Sequence, residues 1–254
     1  MDVTFGICVS PTANIDHLQN QIWSIQDQID YGDNIQVVLC GTKHVLEEVD
    51  PAGLDLLFFD ETEKPGWITR KKNLMVQKSL GDIIVLTHDY YMFDEEWLKG
   101  FKIFDKKNPN WQVAVNPIWT AEGARHSDWL INPKYMDQLL IKHPELASEL
   151  MSVAHGENGP RWVCGLDYSE NLSKFQYVSG GMIIAKRNVL LDVPLNEDLV
   201  WGQAEDVEWS ERLVAKYPLT FNPYSFNGIQ KPGKWHCYEM TEKALKKLKV
   251  LYNE

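Results

Sequence analysis

Four short groups of residues in this 254-residue chain carry side chains able to do chemistry. Asp89 stands just past the apolar run Ile83-Ile84-Val85-Leu86-Thr87-His88. A carboxylate at the end of such a run can hold a divalent cation, and the cation can neutralise a diphosphate. Mg²⁺ and Mn²⁺ suit oxygen ligands, so they are the metals expected there. The same acid would also serve as a cap ahead of Phe93-Asp94-Glu95-Glu96. His88 beside it is expected to make a local contact rather than to bind metal. The second group is Gly180-Gly181, set between Tyr177-Val178-Ser179 and Met182-Ile183-Ile184. Two glycines there allow a bulge or the close approach of backbone to a ligand. The third is Glu205-Asp206, three residues after Trp201-Gly202 and at the start of a helical pattern. Acids in a first helical turn are stabilised by the unpaired N–H groups and the macrodipole, which explains them structurally as well. The fourth is His236 in Lys234-Trp235-His236-Cys237.

The elements that must position these groups follow from hydrophobic periodicity. Val3–Val9, Ile35–Cys40, Leu54–Phe59 and Asp82–Thr87 read as strands. Asn14–Ile29 reads as a helix with Ile15, Leu18, Ile22, Ile25 and Ile29 on one side, and Trp67–Leu80 as another after Pro65-Gly66. This alternation predicts an α/β fold, a mainly parallel central sheet flanked by helices, with ligands bound at the carboxyl ends of the strands. The loops after Val9, Cys40, Phe59 and Thr87 should then line a site. In the second half, Trp111–Trp119, Phe175–Ala185 and Leu219–Asn222 read as strands. Pro133–Met151 (with a break at Pro144), Glu205–Lys216 and Thr241–Tyr252 read as helices, and His155–Asn171 and Gly228–Lys234 as loops. No repeat or linker divides the chain, so one domain over 1–254 is expected.

Composition narrows the function classes. A hydrophobic share of 44% and a charged share of 24% belong to a folded globular protein. The net charge of −11 argues against nucleic acid or an anionic membrane as the main partner. Ten Trp and ten Tyr supply faces that can stack on sugar rings, although most aromatics serve packing. No signal peptide and no transmembrane run is legible. The four cysteines are scattered, with Cys8 and Cys40 inside apolar runs, and a reducing cytoplasmic location is expected.

The stretch Gly66-Trp67-Ile68-Thr69-Arg70-Lys71-Lys72-Asn73, continuing through Gly81-Asp82 to Thr87-His88-Asp89, resembles the GT-A glycosyltransferases of families 2 and 7. There a basic, Asn-bearing helix precedes a Gly-acid turn and a strand ending in Asp-x-Asp. Thr87 stands here in place of the first Asp. Trp201-Gly202-Gln203-Ala204-Glu205-Asp206 is similar to the Trp-Gly-x-x-Glu-Asp element of the same enzymes. The order Asp89, Gly180-Gly181, Glu205-Asp206, His236 also follows the family's order.

The resemblance implies a nucleotide-sugar donor, a UDP-sugar, and a carbohydrate or glycoconjugate hydroxyl as acceptor. It implies an inverting, metal-dependent reaction with Asp89 and His236 as protein ligands to Mn²⁺ or Mg²⁺. Asp206 would be the base and Glu205 would orient the acceptor. A sugar hydroxyl is a poor nucleophile near neutral pH, and a placed carboxylate contributes roughly 10²–10⁴-fold. Donor contacts would come from Pro11, Asp60, Arg70, Lys71, Asn73, His88, Gly180 and Gly181, and acceptor contacts from Trp162, Trp201 and Gly202. Residues 1–110 would form the nucleotide-sugar half and 111–254 the acceptor half, with an unmatched insertion at 120–171 that could act as a lid. The acid expected after the second strand is missing, since Cys40-Gly41-Thr42 stands there. Two other readings remain open. A catalytically silent nucleotide- or carbohydrate-binding module is supported by Thr87. A nucleotidyltransferase would need a glycine-rich loop after the first strand, and Ser10-Pro11-Thr12-Ala13-Asn14 has no glycine.

Overall fold

The first half alternates strand and helix as its periodicity requires: β1 (Asp2–Cys8), α1 (Ile15–Gln26), β2 (Asn34–Gly41), α2 (Lys43–Leu46), β3 (Leu54–Phe58), α3 (Ile68–Lys78) and β4 (Ile83–His88). This is a computed structural model, and it describes residues 1–28, 33–146, 152–156, 159–163 and 165–232, with 242, 243, 246 and 250 beyond them. These four strands are mutually parallel in the order β4-β1-β2-β3, with Cys8 in register with Cys40 on one side and His88 on the other. α1 begins at Asn14, whose side chain accepts from the His17 N–H, and buries Leu18, Gln21, Ile22 and Ile25.

The chain then makes β5 (Tyr91–Phe93), α4 (Trp97–Lys107), β6 (Val113–Val115), β7 (Ile118–Thr120), β8 (Leu130–Ile131) and α5 (Pro133–Lys142). β9 (Ser152–Gly156) and β10 (Gly159–Val163) pair as an antiparallel hairpin. β11 (Gln176–Tyr177), β12 (Met182–Lys186), α6 (Arg187–Asp192), α7 (Glu205–Val214), β13 (Leu219–Phe221) and β14 (Asn227–Ile229) follow. β12 inserts antiparallel beside β4 and extends the sheet through β6 to β13, giving seven strands in the order β13-β6-β12-β4-β1-β2-β3. A separate three-stranded sheet, β5-β14-β7, joins the segment after β4 to strands from later in the chain.

Successive side chains of a strand point to opposite faces, and the core divides accordingly. Cys8, Val38, Cys40, Ile84, Leu86 and Ile183 pack with Met75 and Val76 of α3 and with Trp209 and Leu213 of α7. Phe5, Ile7, Val37, Leu39, Val85 and Ile184 pack with Leu18, Ile22 and Ile25 of α1 and with Trp97, Phe101 and Phe104 of α4. Strands covered on both faces explain the near-continuous apolar runs of β1 and β4.

Several sequence expectations need correction. The segment read as a loop over 155–171 takes in the end of β9 and all of β10, which pair as an antiparallel hairpin. The run Trp111–Trp119 splits into β6 and β7 because Pro117 lies between them and has no N–H to give a ladder. The helix at Pro133 stops at Lys142, two residues before Pro144, as expected for the residue preceding a proline. β14 runs from Asn227 into the first two residues of the stretch expected as a loop over Gly228–Lys234. α4 and α6 were not anticipated; α4 is an aromatic-rich helix whose Trp97 and Phe101 rings stack 5.1 Å apart. The terminal helix expected over 241–252 lies largely outside the described residues, and His236 wholly so. Cys8 and Cys40 are free, buried thiols. No helix among the described residues is long and apolar enough to cross a membrane.

Candidate active site

At the carboxyl end of β1 and β4 a cleft of about 630 Å³ opens, lined by residues 8–14, His17, Glu61, Pro65, Gly66, Ile68, Lys71, His88, Asp89, Tyr90, Trp201 and Lys231. Five residues singled out from the sequence meet there: Pro11, Lys71, His88, Asp89 and Trp201. Asp89 is buried, and its Oδ2 accepts the Ser10 N–H at 2.6 Å, tying the loop after β1 to the end of β4. Burial pushes its carboxyl above the usual range, opposed by the Ser10 amide and by the charges of Lys71 and Lys231. His88 Nδ1 lies 3.0 Å from the Tyr90 hydroxyl. Lys71 donates to the Val9 carbonyl at 2.8 Å and pairs with Glu61.

Trp201 is 61% exposed over this cleft. Its N–H donates at 2.8 Å to the carbonyl of Gly66, a residue at φ +71 that suits glycine. The segment leading to it is fastened by α3 and the turn before it. Arg70 reaches both carboxylate oxygens of Glu197 at 3.0 and 3.1 Å. Asn73 brackets Leu195, donating to its carbonyl at 2.9 Å and accepting its N–H at 3.0 Å. The Thr69 hydroxyl takes Leu199 O at 2.8 Å, and the Trp67 indole N–H takes Glu197 O at 2.7 Å. Arg70 and Asn73, expected to touch the donor, therefore hold the 195–199 segment and do not line the cleft. Asp60 is exposed and caps the Thr62 N–H at 2.9 Å, an interaction that holds its carboxyl below the ordinary value. Its neighbour Glu61 is the acid that enters the cleft. Nothing in composition separates two adjacent acids; only the backbone turn after β3 does.

Glu205, Asp206, Gly180, Gly181 and Gly202 are not among the residues that line this cleft; the acid pair is tied instead to the strand end beside it. Asp206 Oδ2 accepts the Gly180 N–H at 2.8 Å and Oδ1 accepts the Val207 N–H at 2.9 Å. The Gly180 carbonyl takes the ammonium of Lys72 at 2.5 Å, and the Gly181 carbonyl takes the His88 N–H at 3.2 Å. The two glycines thus join Asp206 directly to the strand end that carries Asp89. Their lack of Cβ is a packing requirement: at Gly181 a Cβ would lie 2.4 Å from the Tyr91 hydroxyl, and at Gly180 3.1 Å from the Asp206 Cβ. Glu205 is buried; burial and the adjacent Asp206 raise its carboxyl above the usual range, against Lys72 and the Gly202 N–H. Ala204, immediately before the pair, sits in the left-handed region at φ 56, ψ 39, a strain of roughly 1–2 kcal/mol for a non-glycine residue. Gly202 is exposed at φ 84. α7 is anchored by the Trp209 indole N–H on Val193 O at 2.7 Å and by Ser210 Oγ accepting the Val178 N–H at 2.9 Å.

Two departures from the expected motifs gain physical reasons. Thr87 is buried and its Oγ1 accepts from the Gln21 amide of α1 at 2.7 Å, so it serves helix packing. Gly41, where an acid was sought, packs so closely that a Cβ there would lie 2.8 Å from the Val9 Cβ. Within the 120–171 insertion, Asp128 is fully buried and accepts from Arg125 Nε at 2.7 Å, Tyr168 Oη at 2.8 Å and the Ile118 N–H at 3.0 Å. Burial pushes that carboxyl up, with Arg125 the main opposing influence. Trp162 lies in β10, of whose side chains nothing is described.

Among the described residues no three His, Cys, Asp or Glu side chains converge as a metal-binding group. Asp89 does present one carboxylate at the cleft. One carboxylate with waters and substrate phosphates is an ordinary ligand set for Mg²⁺ or Mn²⁺, so the residues fit such an ion.

The architecture is the GT-A glycosyltransferase fold. It matches S. aureus TarS 1-349 in complex with UDP-GlcNAc at 13% identity and a TM-score of 0.57, over 91% of this chain and 59% of that one. It matches GalNAc-T7 with UDP, GalNAc and Mn²⁺ at 14% identity and a TM-score of 0.59, over 92% of this chain and 45% of that one. A further structure of S. aureus TarS 1-349 matches at 13% identity and a TM-score of 0.53, over 99% of this chain and 64% of that one. The chain thus spans less than two thirds of the length of each of these structures. No family model and no curated protein matches the sequence.

Proposed function

We propose that this chain is a glycosyltransferase that moves a sugar from a UDP-sugar to a hydroxyl of a carbohydrate or glycoconjugate, by inverting single displacement. The observation that carries the reading is the link from Asp206 through Gly180-Gly181 to the His88-Asp89 strand end, which brings two carboxylates with separate tasks to one end of the sheet. The fold is that of structures solved with UDP, UDP-GlcNAc and Mn²⁺, which favours a nucleotide-sugar donor. Residues 1–110 form the donor half in this reading and 111–254 the acceptor half.

Asp89 would hold the divalent cation, with His236 as a second protein ligand; bound there, the ion supplies positive charge against the departing diphosphate. Pro11 and the loop around it face the nucleoside, and Lys71, fixed by Glu61 and Val9, adds a cation to the cleft wall. Trp201 offers an exposed ring for the acceptor to stack on, next to Gly202, which leaves room for it. Asp206, fixed by two backbone N–H groups, takes the acceptor's proton as its oxygen attacks the anomeric carbon. Glu205, with its carboxyl pushed up by burial, gives or accepts a hydrogen bond at the acceptor.

Melting curves against a panel of nucleotide sugars, with and without Mn²⁺, test the reading together with a UDP-release assay. One donor should raise Tm, more strongly with Mn²⁺, and release UDP at a rate that an acceptor increases. Stabilisation by a nucleotide sugar with no release under any condition would favour a silent binding module, as the inward-facing Thr87 would allow. Stabilisation by nucleoside triphosphates alone would overturn the donor class.

A further inference from the structure

α3 carries two adjacent lysines with different fates. Lys71 is partnered by a carboxylate, that of Glu61. Lys72 is 0% exposed, yet among the described residues no carboxylate comes within ion-pair distance of it. It belongs to the buried face that also holds Met75 and Val76, where an apolar side chain would be the ordinary choice. Taking an ammonium out of water without a counter-ion is strongly unfavourable unless its hydrogens find acceptors. The Lys72 ammonium donates to the Gly180 carbonyl at 2.5 Å, and the N–H of the same Gly180 donates to Asp206 Oδ2 at 2.8 Å. One residue is thus gripped from both sides. The groups facing Lys72 are the Cys8 thiol from β1, the Gly180 carbonyl and, from α7, Glu205 with Asp206 beside it; Lys71 lies next to it on its own helix.

We propose that Lys72 is a positioning residue for the acid pair: its buried ammonium clamps the Gly180 carbonyl, so that the Gly180 N–H holds the Asp206 carboxylate in a single orientation. The proposal rests on the transferase reading for its effect on turnover. The clamp also sets the local field. The Lys72 charge favours the ionised form of Glu205, against burial and the adjacent Asp206, which raise that carboxyl.

The test is Lys72→Met, which keeps the stem's volume and removes the charge, with Lys72→Gln in its place should that variant not fold. We expect kcat to fall by about tenfold or more while donor affinity, read by thermal shift, stays unchanged. A structural role alone would lower Tm and leave both kcat of the folded protein and the Glu205 titration in place, and this result would overturn the proposal. So would a loss of kcat matched by an equal loss of donor affinity. If wild-type protein turns over no donor, the transferase reading fails, but the lysine can still be judged. The carboxyl titration of Glu205, followed by ¹³C NMR, should shift upward in the variant. An unchanged titration would refute the clamp.

Discussion

Replacing Asp206 by Asn separates orientation from basicity. The Gly180 N–H donates to Oδ2 and the Val207 N–H to Oδ1, so the carboxylate meets a donor on each oxygen. An amide has one oxygen. It can satisfy one of these N–H groups, and its NH₂ then faces the other donor. The structural loss is about one hydrogen bond, on the order of 0.5–1.5 kcal/mol, rising to about 1–3 if the orphaned N–H finds no water. For a domain of this size each 1 kcal/mol lowers Tm by about 2–4 °C. The chemical loss is larger: a missing general base costs about 10²–10⁴-fold in kcat, or roughly 2.7–5.5 kcal/mol of barrier at about 1.36 kcal/mol per tenfold. The assay pairs UDP release under saturating donor and acceptor with donor binding followed by thermal shift. We expect Tm to drop by a few degrees, donor affinity to hold, and kcat to fall by at least about a hundredfold. Full turnover in the variant would refute the base assignment. A fall in kcat accompanied by an equal fall in donor affinity would make Asp206 a scaffold for the Gly180 turn.

Three further predictions follow from the same geometry. Gly181→Ala places a Cβ against the buried Tyr91 hydroxyl and should destabilise by about 1–3 kcal/mol in urea unfolding; adding Tyr91→Phe, which removes the obstructing oxygen, should recover much of the loss. Asp128→Ala leaves the Arg125 guanidinium buried without its carboxylate and should cost about 3–5 kcal/mol, more than the Asp128→Ala, Arg125→Met double variant. Glu205 has its carboxyl raised on folding, so it contributes stability below the ordinary Glu value that is lost as pH rises through the folded value. Glu205→Gln should therefore gain Tm relative to wild type as pH is raised from about 4 to about 8; a constant difference across that range would contradict the assignment.

Local chemistry determined much of this fold before any tertiary contact was considered. Apolar runs such as Ile83–Leu86 and the one-sided pattern of Leu18, Ile22 and Ile25 specify strand and helix by side-chain period alone. A parallel sheet then places the loops after β1 and β4 on one edge, which is why Pro11 and Asp89 could be expected to meet. The motif order put Gly180-Gly181 and Glu205-Asp206 in one candidate site, and the Gly180 N–H does donate to Asp206. Periodicity could not foresee which of two adjacent charged residues faces the cleft. Asp60 and Glu61 differ by one peptide, as do Arg70 and Lys71, yet one of each pair lines the cleft and the other caps a turn or holds Glu197. That choice depends on the backbone direction after β3 and the rotation of α3, both set by packing against strands far away in sequence. The same holds for Lys72, whose burial under Gly180 no local pattern announces; Thr87, by contrast, sits on the α1 face that strand alternation gives it with Ile83 and Val85, and only the Gln21 partner is tertiary. Residue type supplied the possible chemistry; long-range packing decided which atoms could use it.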